Sequence, residues 1–147
     1  MRQLALFCDG GSRGNPGPAA YGWVLYPALG VVVDTTNEDI VLPKPIAHGS
    51  KYLGVTTNNQ AEYQGLVAGL TAAKEHKATS VKVYLDSELI VKQLNLEYKV
   101  KDKGLGEWFI KAWNLTKELK ATFTHVPRSL NSAADKLVNE ALDTVKK

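Results

Sequence analysis

The sequence predicts a single α/β domain that covers residues 1–147. Three segments with the character of β-strands come first, and segments with helical periodicity then alternate with two further strands. At 147 residues the chain is long enough for one full hydrophobic core and too short for two ordinary domains. The content of 44% hydrophobic and 22% charged residues is typical of a globular protein.

The strands are predicted from short apolar runs that are bounded by turn residues. Residues 3–9 form an apolar run that ends with an acid, which is typical of a strand buried on both faces. Residues 21–26 and 51–56 are predicted to complete an antiparallel meander with this strand. The remaining two strands are predicted at residues 81–86 and 121–126.

The segment between the second and third strands has the least regular pattern. Residues 31–33 and 40–42 are short apolar runs, and we expect them to form an irregular pair of strand pieces. Pro43, Pro45 and Gly49 favour turns, so we expect an exposed loop around them. The pattern assigns no role to this segment.

Helical periodicity predicts four helices. The first runs from about residue 58 to residue 75, with Asn58 or Asn59 as its N-cap. A short helix opened by Ser87 follows the fourth strand, and a longer helix then carries Trp108 on its apolar side. Residues 132–145 are predicted to form the last helix.

Four acids stand at positions where a carboxylate is expected to point toward the core. Asp9 and Asp86 each end a predicted strand, and Asp9 is followed by a glycine-rich turn. Glu62 and Asp135 each begin the apolar side of a helix. Because an unpaired buried carboxylate is costly, four such acids together predict a divalent metal site.

Each of these acids except Asp9 has a simpler structural interpretation when taken alone. Glu62 is a favourable charge near a helix N-terminus. Asp86 is placed to cap the helix that follows it, and Asp135 forms a capping-box pattern with Ser132. The metal site is favoured because four separate coincidences are less plausible than one shared cause.

Positive charge is concentrated in one region of the chain. The net charge of +3 does not by itself indicate a nucleic-acid partner, but residues 92–120 hold seven lysines against four acids. Lys99, Lys101 and Lys103 alternate along an extended stretch, which places all three on one side. This pattern predicts phosphate contacts, with a solvated surface as the alternative.

The sequence also bears on the location of the protein. It contains no apolar stretch long enough to span a bilayer and no secretory signal pattern after Met1. The single Cys8 cannot form an internal disulfide and is expected to be a packing residue. We therefore expect a cytoplasmic protein without a membrane partner.

Four motifs occur in an order that is specific in combination. They are Asp-Gly-Gly-Ser-Arg-Gly-Asn-Pro-Gly from Asp9, Thr-Thr-Asn-Asn-Gln-Ala-Glu-Tyr from Thr56, Leu-Asp-Ser from Leu85, and Val-Pro-Arg from Val126, followed by Asn131 and Asp135. In these motifs the chain resembles the type 1 ribonuclease H family, whose members cut the RNA strand of RNA–DNA hybrids. The resemblance implies a ribonuclease H-like fold with a mixed five-stranded sheet. Three antiparallel strands are followed by two parallel ones, with helices on both faces.

The resemblance implies that the four acids, Asp9, Glu62, Asp86 and Asp135, are both the catalytic residues and the metal ligands. Two Mg²⁺ or Mn²⁺ ions are expected, with Asp9 bridging both because it lies on the central strand. Glu62 and Asp86 are expected to complete the shell of one ion, and Asp135 that of the other. The expected products carry 5′-phosphate and 3′-hydroxyl ends.

The resemblance also implies a set of substrate contacts. Selection of RNA requires contacts with 2′-hydroxyls, and Asn15, Asn58, Asn59 and Gln60 match the positions that line the minor groove of the hybrid. Thr57 matches a residue that grips a phosphate of the DNA strand. The remaining expected contacts are Gly10, Ser87, Arg128 and Asn131. Alternatives are a turn for Asn15, a helix cap for Ser87 or one of Asn58 and Asn59, and a surface ion pair for Arg128.

Two departures from the family pattern limit what the resemblance implies. Many members carry a histidine in the loop before the last acid, whereas residues 126–135 contain none. His125 is on the last predicted strand and is not expected to replace it. Residues 95–107 also lack the extra basic helix that clamps the hybrid in some relatives. We therefore expect lower turnover and weaker clamping.

Two other functions compete with hybrid cleavage. One is a DNA nuclease of the resolvase or exonuclease type, which would use the same four acids. The other is a nucleic-acid-binding module without catalysis. The Asn-Asn-Gln segment at Asn58 argues against the first, and the complete set of acids argues against the second, because carboxylates repel a phosphate unless metal is present. We expect the protein to act as a monomer.

Overall fold

The computed structural model of the protein describes residues 2–101 and 103–144, without the side chain of Lys103. The strands are β1 Gln3–Ser12, β2 Gly17–Pro27, β3 Val32–Asp34, β4 Asp39–Val41, β5 Ala47–Thr56, β6 Ser80–Leu85 and β7 Ala121–His125. The helices are α1 Asn58–Glu75, α2 Glu88–Leu94, α3 Lys103–Glu118 and α4 Ser132–Thr144, and a short 3-10 turn spans Arg128–Leu130. The predicted end of the last helix at residue 145 and the side chain of Lys103 lie outside the described residues.

The main sheet has five strands in the order β5-β2-β1-β6-β7. Strand β1 pairs antiparallel with β2, which pairs antiparallel with β5, while β6 lies parallel to both β1 and β7. The mixed sheet implied by the family resemblance is therefore confirmed, and β1 is its central strand. Residues 4–9 are all nearly inaccessible to solvent, which explains the continuous apolar run.

Helices cover both faces of this sheet, as expected. On one face Leu4 and Leu6 of β1 belong to the same core cluster as Leu66 and Leu70 of α1. On the other face Phe7 packs in a cluster with residues of α4 and of the β3–β4 hairpin. Each fully buried leucine contributes about 1.5–3 kcal/mol relative to an exposed one, so this packing fixes α1 firmly against the central strand.

Two local predictions are wrong. The N-cap of α1 is Thr57, not Asn58 or Asn59, because the Thr57 side chain accepts a hydrogen bond of 3.2 Å from the backbone N–H of Gln60. Gly49 is not in a loop but in β5, which begins at Ala47. There a side chain would meet the Trp23 ring at 2.6 Å, so glycine is required by packing.

The irregular segment contains the short strands that were expected. Strands β3 and β4 form a separate two-stranded sheet, with Val32 opposite Val41 and Val33 opposite Ile40. Across the part of the chain that the structure describes, no helix is both long and apolar enough to cross a membrane.

Candidate active site

Sheet topology brings Asp9 and Asp86 together. Strands β1 and β6 are parallel neighbours, and their register places Phe7 opposite Tyr84. Two residues further along each strand direction are Asp9 and Asp86, so both carboxylates lie at the same edge of the sheet. This is where side chains of adjacent parallel strands are expected to meet.

Helix α1 brings Glu62 to the same place because its first turn lies against the backbone of Gly10. A Cβ atom on Gly10 would overlap the carbonyl group of Ala61, so only glycine permits this approach. The backbone N–H of Gly10 donates to Asp9 Oδ1 at 2.9 Å and to Glu62 Oε1 at 3.3 Å. One amide group therefore holds both carboxylates.

The result is a compact group of three acids. Asp9, Glu62 and Asp86 each offer a carboxylate oxygen, and these oxygens lie within 4.8 Å of one another. Asp9 and Glu62 are only 5% and 8% exposed. Among the described residues, Glu62 Oε2 is buried without a hydrogen-bond partner. Such an arrangement has an unmet need for positive charge.

Asp135 faces the same cleft from the other side of the sheet. The cleft has a volume of about 400 Å³, and the four acids line it. Asp135 is not part of the compact group of three, but its negative charge adds to the rise in pKa that burial causes at both Asp9 and Asp86. The Asn139 side chain donates to the carbonyl oxygen of Asp135 at 3.1 Å and to its Oδ2 atom at 3.4 Å, and so restrains it.

The electrostatics of the acids reflect burial and mutual repulsion. Burial, followed by the charge of Asp86, raises the pKa of Asp9 to about 7. Burial and the charge of Asp9 raise the pKa of Glu62 well above its usual range. Burial also raises the pKa of Asp86, although a hydrogen bond from Asn131 and the charge of Arg128 oppose this shift. The site is thus arranged to hold more negative charge than it can keep without a cation.

Asn131 does not lie where a substrate contact was expected. Its side chain is 1% exposed, and Nδ2 donates to the carbonyl oxygen of Cys8 at 2.9 Å and to Asp86 Oδ2 at 3.3 Å. The amide is therefore placed between the central strand and an acid. In this position it is hydrogen-bonded to Asp86 and buried from solvent.

The asparagines near the start of α1 hold the glycine-rich turn. The backbone N–H of Asn58 donates to Asn15 Oδ1 at 3.0 Å. Asn58 Oδ1 in turn accepts from the backbone N–H of Ser12 at 2.8 Å and from its hydroxyl at 3.0 Å. These bonds join residues that were expected to face the hybrid, and they fix the turn against the helix.

The other expected contacts are distributed around the cleft. Ser87 lines the cleft and also caps α2, since its hydroxyl accepts from the N–H of Ile90 at 3.3 Å. Arg128 is exposed and lines the same cleft. Gln60 Nε2 donates to the carbonyl oxygen of Gly104 at 2.8 Å, which ties α1 to the start of α3. Asn59 lines the cleft and a second groove beside it.

This second groove, of about 510 Å³, contains the basic segment. Lys99 and Lys101 both line it, together with Tyr98 and Leu105. The intervening Val100 packs against the core, so the two lysines do share one side, as their alternation predicts. Because Asn59 belongs to both depressions, the basic groove is continuous with the acidic cleft.

Two residues of the site were missed by the sequence reasoning. Asn139 restrains Asp135, and its position four residues later on the same helix was the available signal. Arg13 lines the cleft and forms an ion pair of 2.8 Å with Asp143. No local pattern predicts this pairing, since it joins the first turn to the last helix.

The sequence is similar to those of known proteins. The model of a family described as reverse transcriptase-like matches residues 7–141. The chain is 41% identical over 142 residues to ribonuclease HI of Halobacterium salinarum, an alignment that covers 96% of this chain and 65% of that protein. It is 39% identical over 142 residues to the bifunctional protein Rv2228c of Mycobacterium tuberculosis, covering 96% of this chain and 36% of that one.

The fold is also similar to that of a solved ribonuclease H structure. The crystal structure of LC11-RNase H1 in complex with an RNA/DNA hybrid has a TM-score of 0.80 and 37% sequence identity. The match covers 96% of this chain and 97% of that chain. The two relatives above are longer proteins than this chain. The chain spans about a third of the length of the mycobacterial relative and less than two thirds of the length of the Halobacterium relative.

Proposed function

The chain belongs to the type 1 ribonuclease H family, and from this membership we propose that it hydrolyses the RNA strand of RNA–DNA hybrids as an endonuclease. The observation that carries the proposal is the buried group of Asp9, Glu62 and Asp86 within a cleft that Asp135 also lines. Binding alone does not require three mutually repelling carboxylates at one point, whereas metal-dependent hydrolysis does.

The residues present fit a divalent metal. The donors are carboxylate oxygens, which suit Mg²⁺ or Mn²⁺, and the unpartnered Glu62 Oε2 offers a buried acceptor among the described residues. We assign Asp9, Glu62, Asp86 and Asp135 as the residues that would hold two such ions. When bound, such ions supply positive charge to the phosphate and lower the pKa of a water molecule.

The protein's own groups prepare this site. The N–H of Gly10 fixes Asp9 and Glu62, and Asn131 fixes Asp86 from behind. Asn139 restrains Asp135. These hydrogen bonds hold the acids close together despite their repulsion. The binding of metal ions therefore requires little movement of the acidic side chains. From the family membership we expect products with 5′-phosphate and 3′-hydroxyl ends.

Selection of the RNA strand is assigned to the start of α1 and the glycine-rich turn. Recognition of 2′-hydroxyls requires groups that both donate and accept, which suits Asn15, Asn58, Asn59 and Gln60. Asn59 is the best placed of these, because it stands between the acidic cleft and the basic groove. Gly10 and Ser87 border the cleft and complete the RNA side.

The DNA strand is assigned to the basic groove. Lys99 and Lys101 supply charge for its phosphates, with Lys103 as the expected third contact, and Thr57 is assigned a further phosphate. Arg128 lines the cleft, where its positive charge opposes the rise in the pKa of Asp86 that burial causes. It is also assigned a contact with a phosphate. His125 is exposed at the end of β7. The expectation of reduced turnover without a loop histidine stands.

The test is a direct assay. The protein is incubated with end-labelled RNA–DNA hybrid, double-stranded RNA and double-stranded DNA, each with Mg²⁺, Mn²⁺ or EDTA. We expect cutting of the hybrid RNA with either metal and none with EDTA. Cutting of double-stranded DNA would instead indicate a resolvase-like or exonuclease-like enzyme, and binding without cutting would indicate a module without catalysis.

Three further expectations accompany this function. We propose that residues 1–147 form one catalytic domain, that it acts as a monomer, and that it works in the cytoplasm. The matched family region of residues 7–141 supports the first of these. Size-exclusion chromatography with light scattering tests the second.

A further inference from the structure

The β3–β4 hairpin has no assigned role in the proposed reaction, yet it is built into the fold. Val33 and Ile40 are cross-strand partners, and both pack against the cluster that contains Phe7. Val32 and Val41 lie on the opposite face and are 58% and 57% exposed. The hairpin is thus anchored to the sheet by one face, on the side that also carries α4.

Hydrogen bonds within the turn of this hairpin constrain its conformation. Asp34 Oδ1 accepts from the N–H groups of Thr36 at 3.0 Å and Asn37 at 3.1 Å, and its Oδ2 accepts from Asn37 Nδ2 at 2.8 Å. Glu38 has a φ of 51°, a backbone conformation that residues other than glycine adopt rarely. The turn is therefore constrained on both sides of its tip, and Glu38 projects from it.

Glu38 contacts the 3-10 turn that lies beside the cleft. Its Oε1 atom accepts a hydrogen bond of 2.7 Å from the Ser129 hydroxyl. Ser129 is the middle residue of the 3-10 turn, with Arg128 in the cleft on one side and the buried Leu130 and Asn131 on the other. A charged hydrogen bond thus joins the hairpin tip to the segment that presents Arg128 and Asn131 to Asp86.

We propose that the β3–β4 hairpin is a brace for the 3-10 turn Arg128–Leu130, with Glu38 and Ser129 as positioning residues for the hydrolysis reaction. This inference rests on the proposed function. Within the turn, the backbone N–H groups of Leu130 and Asn131 donate to the carbonyls of Pro127 and Arg128, each at 2.9 Å. The side chain of Arg128 is exposed, so its position depends on how rigidly this short turn is held.

The competing interpretation is a surface hydrogen bond without functional consequence. Such a bond would affect stability slightly, and it would affect neither the opening of the turn nor the kinetics of cleavage. The two interpretations therefore differ in measurements other than melting temperature.

The experiment compares Glu38→Ala, Ser129→Ala and the double variant with Glu38→Gln, whose amide oxygen still accepts from Ser129. Thr35→Ala, in the same turn, is the control. Amide hydrogen exchange is measured at Leu130 and Asn131, and KM and kcat are measured on an RNA–DNA hybrid. We expect the alanine variants to exchange about threefold to tenfold faster and to lose kcat/KM by a similar factor. Glu38→Gln and Thr35→Ala should stay near wild type.

The double variant separates a shared contact from two independent effects. If Glu38 and Ser129 act through one hydrogen bond, the double variant should lose no more than either single variant. Wild-type exchange and kinetics in both alanine variants would overturn the brace. If the wild-type protein fails to cut the hybrid, the proposed function fails, but hydrogen exchange still decides whether the hairpin holds the turn.

Discussion

At the scale of single residues, the site depends on a few buried polar groups that are fixed both by close packing and by hydrogen bonds. Gly10 can be no other residue, because any Cβ would overlap the start of α1. Its N–H holds two acids that repel each other, and this repulsion is the property that prepares the site for cations.

Asp9→Asn tests the assignment of the central ligand. A neutral amide cannot hold two dications, so we expect the cleavage rate to fall by at least about a thousandfold with binding of the hybrid retained. Because the change removes a buried charge beside Glu62, the metal-free protein should not be destabilised. Cleavage kinetics and urea unfolding measure these effects, with Asp39→Asn on the exposed hairpin as the control. Near-wild-type cleavage would refute the assignment.

Asn131→Ala tests whether this amide positions an acid or contacts the substrate. Its removal leaves the Cys8 carbonyl without its described side-chain partner and frees Asp86. We expect a loss of about 1–3 kcal/mol in the free energy of unfolding together with a lower kcat. The exposed Asn114→Ala serves as the control. A raised KM with unchanged stability would instead support the substrate contact that the sequence suggested.

The convergence of the four acids on one cleft could be predicted from the sequence, whereas the hydrogen bonds of Asn131 could not. Each acid is marked by local context, either a strand end or the first turn of an apolar helix. Asn131, in contrast, acquires its role from Cys8, which lies 123 residues earlier in the chain. Such a partnership depends on the assembled sheet and leaves no local pattern.

At the scale of elements, the start of α1 shows the same distinction. Sequence rules favour asparagine as a cap, but Asn58 is engaged by Ser12 of the glycine-rich turn. Thr57 therefore takes the cap position with an extended backbone. The bounds of α1 were predictable from periodicity, while the identity of its cap was decided by a neighbouring element.

The paired variants Thr57→Ala and Asn59→Ala are compared in stability, because Thr57 is the cap of α1 as well as an assigned phosphate contact, whereas Asn59 is assigned to recognition alone. Loss of the cap should lower the free energy of unfolding by about 1 kcal/mol in Thr57→Ala, and Thr57→Ser should restore it. Asn59→Ala should leave stability nearly unchanged and reduce kcat/KM on the hybrid. Thermal melting distinguishes the two variants, and steady-state kinetics measures what each contributes to recognition. A loss of stability in Asn59→Ala without one in Thr57→Ala would contradict both assignments.

The segment that carries Lys99 and Lys101 predicts how hybrid binding depends on salt concentration. Neutralising both lysines should weaken hybrid binding and reduce the slope of log K against log salt by up to about two units. Because the acids lie in the adjoining cleft, kcat at saturating substrate should change little. Binding titrations at several salt concentrations measure the slope, with the exposed Lys120→Gln as the control. An unchanged slope would leave these lysines as a solvated surface.

At the scale of the whole molecule, the order of strands and helices was predictable because each is marked by its own periodicity. The mixed strand order came from the family resemblance and is confirmed by the pairing of β1 with both β2 and β6. What the sequence did not reveal was the link from the β3–β4 hairpin to the 3-10 turn beside the cleft, since it rests on one contact between distant residues. Long-range contacts of this kind are decided only when the layers are assembled.

The buried acids of the site make the stability of the whole fold depend on pH. Folding raises the pKa of Asp9 to about 7 and also raises those of Glu62 and Asp86. A carboxyl whose pKa is raised on folding stabilises the protein while it is protonated, and this stabilisation is lost as the pH rises through the folded pKa. In the absence of divalent metal, we therefore expect the acids to make the protein progressively less stable between about pH 4 and pH 7.

Mg²⁺ should reverse this loss. Cations bind the deprotonated acids, and a ligand at a hundredfold excess over its Kd stabilises the folded state by about 2.7 kcal/mol. At pH 5 protons compete for the same oxygens, so the increase in melting temperature on adding Mg²⁺ should be much smaller than at pH 8. Thermal melts at both pH values, with EDTA or Mg²⁺, measure the difference. Asp9→Asn should show little response to Mg²⁺ at either pH. Equal stabilisation of the wild type at pH 5 and pH 8 would show that Mg²⁺ acts elsewhere than on these buried acids.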